Sequence, residues 1–201
     1  MTVHELAHPA AAMTIYSWLI FASWLTLVGC WTLLGFAMER HTGRRWIWWR
    51  EMALRLGFFA AVVMGWQVAA ASGAVALDTF NSRMLPGLIG FVFCALGIGL
   101  AIRARSLLNP NWAMPTADLD NAALVTSGPY AYVRHPIYGG MLLALVGSAM
   151  GQSLLWLLPL VVYGPQLVLS ARREETFLLR RFPERYRDYM KRTRMLLPFV
   201  L

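Results

Sequence analysis

The stretch IYGGMLLALVGSAM (137–150), the break GQS (151–153) and the stretch LLWLLPLVVYGPQLVLS (154–170) decide how this chain folds. Neither apolar stretch holds a charged residue, and the three-residue break is only wide enough to reverse the chain. The pattern predicts two helices in a tight hairpin. Pro159 and Pro165 are expected to bend the second arm, because each removes a backbone donor. A helix needs about 20 apolar residues to cross the roughly 30 Å hydrocarbon core of a bilayer. The first arm has 14, so a re-entrant hairpin is the alternative to two full spans.

Working outward from the hairpin, three longer charge-free runs precede it: Met13 to Met38 (26 residues), Leu56 to Leu77 (22) and Met84 to Ile102 (19). Five spans is the favoured count. The fold class is therefore all-α, a polytopic membrane helical bundle of five transmembrane helices with a cytoplasmic helical tail. It forms a single domain, 1–201, with three spans in 13–102 and the chemistry in 103–201. The first run is not expected to be a cleaved leader, since Met1 to Ala12 carries no Lys or Arg and 26 residues exceed an h-region.

Composition agrees. The 201 residues are 58% hydrophobic and 14% charged, against about 25% charged in a soluble domain, with a mean hydropathy of +0.52. Disorder and a collagenous fibre are excluded, and two cysteines exclude a disulfide scaffold. Cys30 and Cys94 fall mid-span, as small packing residues. His4, His8 and His41 have no ligand-like spacing, so no metal is expected.

The net charge of +8 records topology. Of 18 basic residues, 17 fall in the first connection and its flank, the third connection or the C-terminal tail, and only Arg83 falls on the opposite side. Positive-inside bias then puts the N-terminus outside and the C-terminus in the cytoplasm, consistent with a bacterial inner membrane. The inner leaflet is the polyanion such a tail meets, so nucleic acid is set aside as a partner.

Charge-free span interiors argue against a pump or transporter. The ionisable residues gather instead in two segments, 103–138 and 172–194, which the hairpin returns to the same face. In the first, Gly128-Pro129 signals a turn. His135 precedes a proline that suits the first position of a helix, so Tyr130, Tyr132, His135 and Tyr138 are expected to converge at a helix start. An interfacial aromatic belt is the other reading of the two earlier tyrosines. In the second segment Glu174 and Glu175 stand where a membrane helix ends, and a helix C-terminus favours cations. They read as acceptors for a cationic ligand, or else as partners of Arg172, Arg173 or Arg180. Phe177, Phe182, Tyr186 and Tyr189 among arginines read as interfacial helices on anionic lipid.

Together, Leu124-Val125-Thr126-Ser127-Gly128-Pro129-Tyr130, Arg134-His135-Pro136-x-Tyr138-x-Gly140, the Glu174-Glu175 pair, Phe182, Tyr186, Tyr189 and Leu197-Pro198-Phe199 resemble the isoprenylcysteine carboxyl methyltransferase family. More widely they resemble the small integral-membrane methyltransferases that include phospholipid N-methyltransferases. The resemblance covers about residues 105–201, and the first three spans share only their hydrophobicity with the family. It implies methyl transfer from S-adenosylmethionine to a lipophilic acceptor at the cytoplasmic membrane face. Leu124, Val125 and Tyr130 would line the adenosine end of the cofactor site, and His135, Pro136 and Tyr138 its wall. Glu174 and Glu175 would bind the polar end, with Glu175 also at the reaction centre. Arg172 or Arg173 would hold a carboxylate acceptor.

The chain departs from the family pattern at Ser170, Pro183 and Ala122. These changes leave the cofactor residues in place and weaken the case for a prenylcysteine acceptor. Two other readings compete: a reductase of sterol-reductase-like architecture using NADPH, and a non-enzymatic structural or transport subunit.

Overall fold

A computed structural model describes residues 15–42, 84–108 and 124–196. The second apolar run, Leu56 to Leu77, lies outside the described residues, as do Arg44, Arg45, Arg50 and Arg55. Among the described residues the chain is all helical. Helix α1 is Ile15–Thr42 and α2 is Met84–Leu108. A 3-10 turn at Gly128–Ala131 leads to α3, Pro136–Gly151. A second 3-10 turn, Leu154–Trp156, leads to α4, Leu157–Arg181, and α5 follows at Pro183–Arg192.

Among the described residues, three helical stretches are long and apolar enough to cross a membrane: Ile15–Leu34, Met84–Leu108 and Leu154–Arg181. Their outward faces carry Trp18, Leu33, Leu85, Leu96, Val161 and Val162, all exposed. Exposed apolar surface on this scale calls for lipid rather than water. Helix α3 differs. Its 16 residues reach about 24 Å at 1.5 Å per residue, and ten of them are buried.

What buries α3 is a seam of small residues. Gly87, Gly90, Cys94, Gly97, Ala101 and Ala104 are buried along one face of α2, opposite Gly140, Ala144, Gly147, Ser148 and Gly151 of α3. A Cβ at Gly140 would stand 2.5 Å from the Gly97 carbonyl oxygen, and one at Gly97 would run into the Gly140 carbonyl. In lipid, water does not drive helices together, so close approach of backbones through small residues supplies the attraction. Helix α1 closes the core with Ile20, Trp24 and Leu27 against Cys94, Ile98 and Leu145. The Trp24 indole donates to Ser148 Oγ at 2.9 Å, and the Ser148 hydroxyl has the Ala144 carbonyl 2.9 Å away as its acceptor.

Only Gln152 and Ser153 separate α3 from the next 3-10 turn, and the Ser153 side chain caps that turn by accepting from Leu155 N–H at 3.2 Å. The Gln152 amide donates to the Ser17 carbonyl at 2.9 Å, tying the connection to the start of α1. Pro159 falls in the first turn of α4, where its missing N–H has no helical partner to lose, so the expected bend there is not required. Pro165 does lie inside the helix.

Candidate active site

The site is assembled from the loop before α3, the C-terminal third of α4 and the chain after α5. Gly128 starts the loop with φ +62°, a conformation open to glycine at little cost. The 3-10 turn then brings Tyr130 under α2, where its hydroxyl donates to the Ala104 carbonyl at 3.4 Å. Pro136 takes the first position of α3 as expected, and His135 before it has φ −125° and ψ 63°, outside the helical region.

At the carboxylates, His135 is 6% exposed and stands between both glutamates. Its Nδ1 is 3.4 Å from Glu174 Oε2, and its Nε2 is 3.4 Å from Glu175 Oε1. The Tyr138 hydroxyl donates to Glu174 Oε1. The Tyr138 ring stacks on the His135 ring, with centroids 5.7 Å apart and planes 10° apart. Arg134 Nε donates to Glu175 Oε1 at 2.5 Å. Burial works against a charged imidazole, but the neighbouring Glu174 and Glu175 carboxylates outweigh it and raise the His135 pKa.

The two glutamates differ in access. Glu175 is one-tenth exposed and enclosed by Arg134 and His135, whereas the Glu174 side chain is 40% exposed. Their setting corrects the dipole argument. Helix α4 runs on to Arg181, so the glutamates lie inside the helix, and Arg180 and Arg181 occupy its last turn. Their partners Arg134, His135 and Tyr138 come from the other polar segment.

Other candidate residues are placed as follows. Val125 packs with Leu107 and Tyr138 around the buried Ala104, Tyr130 and Ile137. Leu124 is half-buried nearby in sequence, and Pro136 is fully buried. Arg172 and Arg173 are exposed on α4. Tyr132 is 69% exposed and does not join the convergence expected of the four aromatic residues.

The tail departs most from expectation. Tyr186 and Tyr189 do not face lipid but are 1% and 4% exposed, packed at a centroid distance of 5.8 Å. The Tyr189 hydroxyl donates to the Tyr130 carbonyl at 2.6 Å, and burial pushes its pKa up to about 12. Beyond α5 the chain runs parallel to the loop. Val133 bridges Arg194, Arg134 N–H donates to the Arg194 carbonyl at 2.8 Å, and His135 N–H donates to the Met195 carbonyl at 3.0 Å. The Leu196 carbonyl oxygen then rests where a Gly139 Cβ would be, 2.6 Å away. Sequence reasoning missed this strap, and also Arg134 as the partner of Glu175. The Gly139-Gly140 pair was the available signal, since two adjacent glycines at a helix start admit close backbone approach. Removing the phenolic donor with Tyr189→Phe is expected to cost about 1 kcal/mol. That lowers the melting temperature by about 2–4 °C for a chain of this size, measured by thermal unfolding in detergent.

The phospholipid methyltransferase family matches residues 86–185, half of the chain. The match begins at α2, earlier than the resemblance drawn from the motifs, and so takes in the third apolar run. A curated relative, the cobalt-zinc-cadmium resistance protein CzcN of Cupriavidus metallidurans, is 36% identical over 109 residues, 51% of this chain and 46% of the relative. The chain thus spans about half the length of the curated relative it matches. No solved structure matches it. The matched half takes in the small-residue seam, the loop with His135 and both glutamates, and by that match this chain belongs to the phospholipid methyltransferase family.

Proposed function

We propose that the protein is an integral-membrane methyltransferase that uses S-adenosylmethionine to methylate a lipophilic acceptor at the cytoplasmic face. The observation that carries this reading is Glu174. It is a 40% exposed carboxylate, oriented by the Tyr138 hydroxyl and His135 beside two stacked rings. That donor set fits the group: a carboxylate suits an ammonium, and aromatic faces suit a sulfonium or an adenine. Bound S-adenosylmethionine would supply a methyl group made electrophilic by its sulfonium.

The chain's own residues bind, orient and exclude water. Glu174 would hold the amino group, with Glu175 enclosed behind it by Arg134 and His135. Leu124, Val125 and Tyr130 line the adenosine side, and His135, Pro136 and Tyr138 form the wall. Transfer to a nucleophile then depends on alignment more than on a strong base. Arg172 or Arg173, both exposed on the same helix, would hold an acceptor that carries a carboxylate. The acceptor reaches them from the lipid, between spans.

The full arrangement in this reading is five spans, with 137–150 and 154–170 as a hairpin, the N-terminus outside and the C-terminus cytoplasmic in a bacterial inner membrane. A reporter fused after Leu201 is expected to report cytoplasm, and periplasmic activity would overturn that orientation. The enzymatic reading is tested by titrating detergent-purified protein with S-adenosylhomocysteine and, separately, NADPH, following thermal stability. Micromolar binding of the first is expected. Binding of NADPH alone would instead support a reductase, and binding of neither a structural subunit.

A further inference from the structure

Arg134 reaches two elements at once. Its Nε donates to Glu175 Oε1 on α4, and its Nη1 donates to the Thr193 carbonyl of the strap, both at 2.5 Å. Its backbone N–H is held by the Arg194 carbonyl at 2.8 Å. A guanidinium presents donors in several fixed directions in one plane, which an ammonium cannot do. Glu175, so held, keeps Oε1 at 3.4 Å from His135 Nε2 without forming an aligned hydrogen bond. The opposite edge of the ring faces Glu174, and one ring face stacks on Tyr138. Turning the imidazole would therefore break its contact with Glu174, and the Arg134–Glu175 pair opposes that turn.

We propose that Arg134 is a positioning residue: by gripping Glu175 and the 193–196 strap together, it keeps the His135 ring turned with Nδ1 toward Glu174. For its functional consequence the proposal rests on Glu174 being the cofactor carboxylate. The ring orientation itself does not. The charged and titratable groups around His135 are Glu174 and Glu175 of α4, Tyr138 of α3 and the adjoining Arg134. Tyr186 of α5 senses Glu175 and Arg134.

The test uses the full chain in detergent micelles with isotope-labelled histidine, the His135 signal being assigned by its loss in His135→Gln. Arg134→Gln removes a cation behind Glu175 and is expected to move the His135 titration to higher pH. Arg134→Lys keeps the charge and loses the two-way grip. Its His135 titration should stay near wild type while S-adenosylhomocysteine binding weakens at least about tenfold, the cost of a misplaced ligand group. Glu175→Gln is a second route should Arg134→Gln not fold, and is expected to move the titration to lower pH. Wild-type affinity in Arg134→Lys overturns the proposal, as does a His135 titration unmoved in the glutamine variants. If the titrations move as expected but wild-type protein binds no S-adenosylhomocysteine, the cofactor reading falls and the positioning of His135 stands.

Discussion

Gly147→Leu is expected to leave the protein unable to hold its helical core, with a loss of more than about 3 kcal/mol, at or above the usual range for overpacking. A Cβ at Gly147 would run into the Cys94 backbone nitrogen, and would also stand 2.6 Å from the Gly90 carbonyl oxygen and 2.9 Å from the Phe93 carbonyl carbon. All three are backbone atoms of α2, so no rotamer change makes room. The helices would have to separate. Separation would open the seam from Gly90 to Ala104, and with it the contacts of Ile20, Trp24 and Leu27 with the same core. The control is Gly99→Ala on α2, the helix that Gly147 packs against, where an added Cβ meets nothing within 4 Å. It should be neutral, or stabilising by up to about 1 kcal/mol through helix propensity. Thermal unfolding of both variants in one detergent checks the pair. A Gly147→Leu protein melting within about 2 °C of wild type would show that α2 and α3 do not pack as described.

That seam shows what the sequence could and could not say. Hydropathy located the apolar runs, and α1, α2 and α4 each start or end within a few residues of them. The spacing 87, 90, 94, 97, 101 and 104 was equally visible, yet small residues read simply as apolar unless their period is counted. The site divides along the same line. His135 and the two glutamates were legible because neighbouring residues form a recognisable pattern and the hairpin must return both segments to one face. Arg134 as the partner of Glu175, and the strap that receives its second donor, were not. Both depend on pairing across 41 and 59 residues, and a single parallel bridge has no alternation or turn to announce it. The tail misled for a physical reason. Tyrosines among arginines suit a lipid interface, but Tyr186 and Tyr189 are three residues apart and share one helix face, which here meets protein.

A pH series on wild type and Glu174→Gln should separate two consequences of the same pair of contacts. Glutamine keeps the size of residue 174 and an acceptor for the Tyr138 hydroxyl, but removes the charge. A charge-assisted hydrogen bond contributes about 1.5–3 kcal/mol, so S-adenosylhomocysteine binding is expected to weaken about 10- to 100-fold, while Glu184→Gln on the exposed face of α5 changes little. The pH dependence follows from His135, whose pKa is raised in the folded protein because Glu174 and Glu175 together outweigh its burial. A raised value means stability that is fully present below the unfolded histidine pKa of about 6.5 and is lost as pH climbs through the folded one. Ligand binding should run the other way. While His135 is protonated, its charge competes with the ligand's ammonium for Glu174, and losing that proton frees the carboxylate. Wild-type melting temperature should therefore fall from mildly acidic to mildly alkaline pH as affinity rises, and both slopes should flatten in Glu174→Gln. Equal affinities in the two proteins would remove Glu174 from the binding site, whatever the stability curves did.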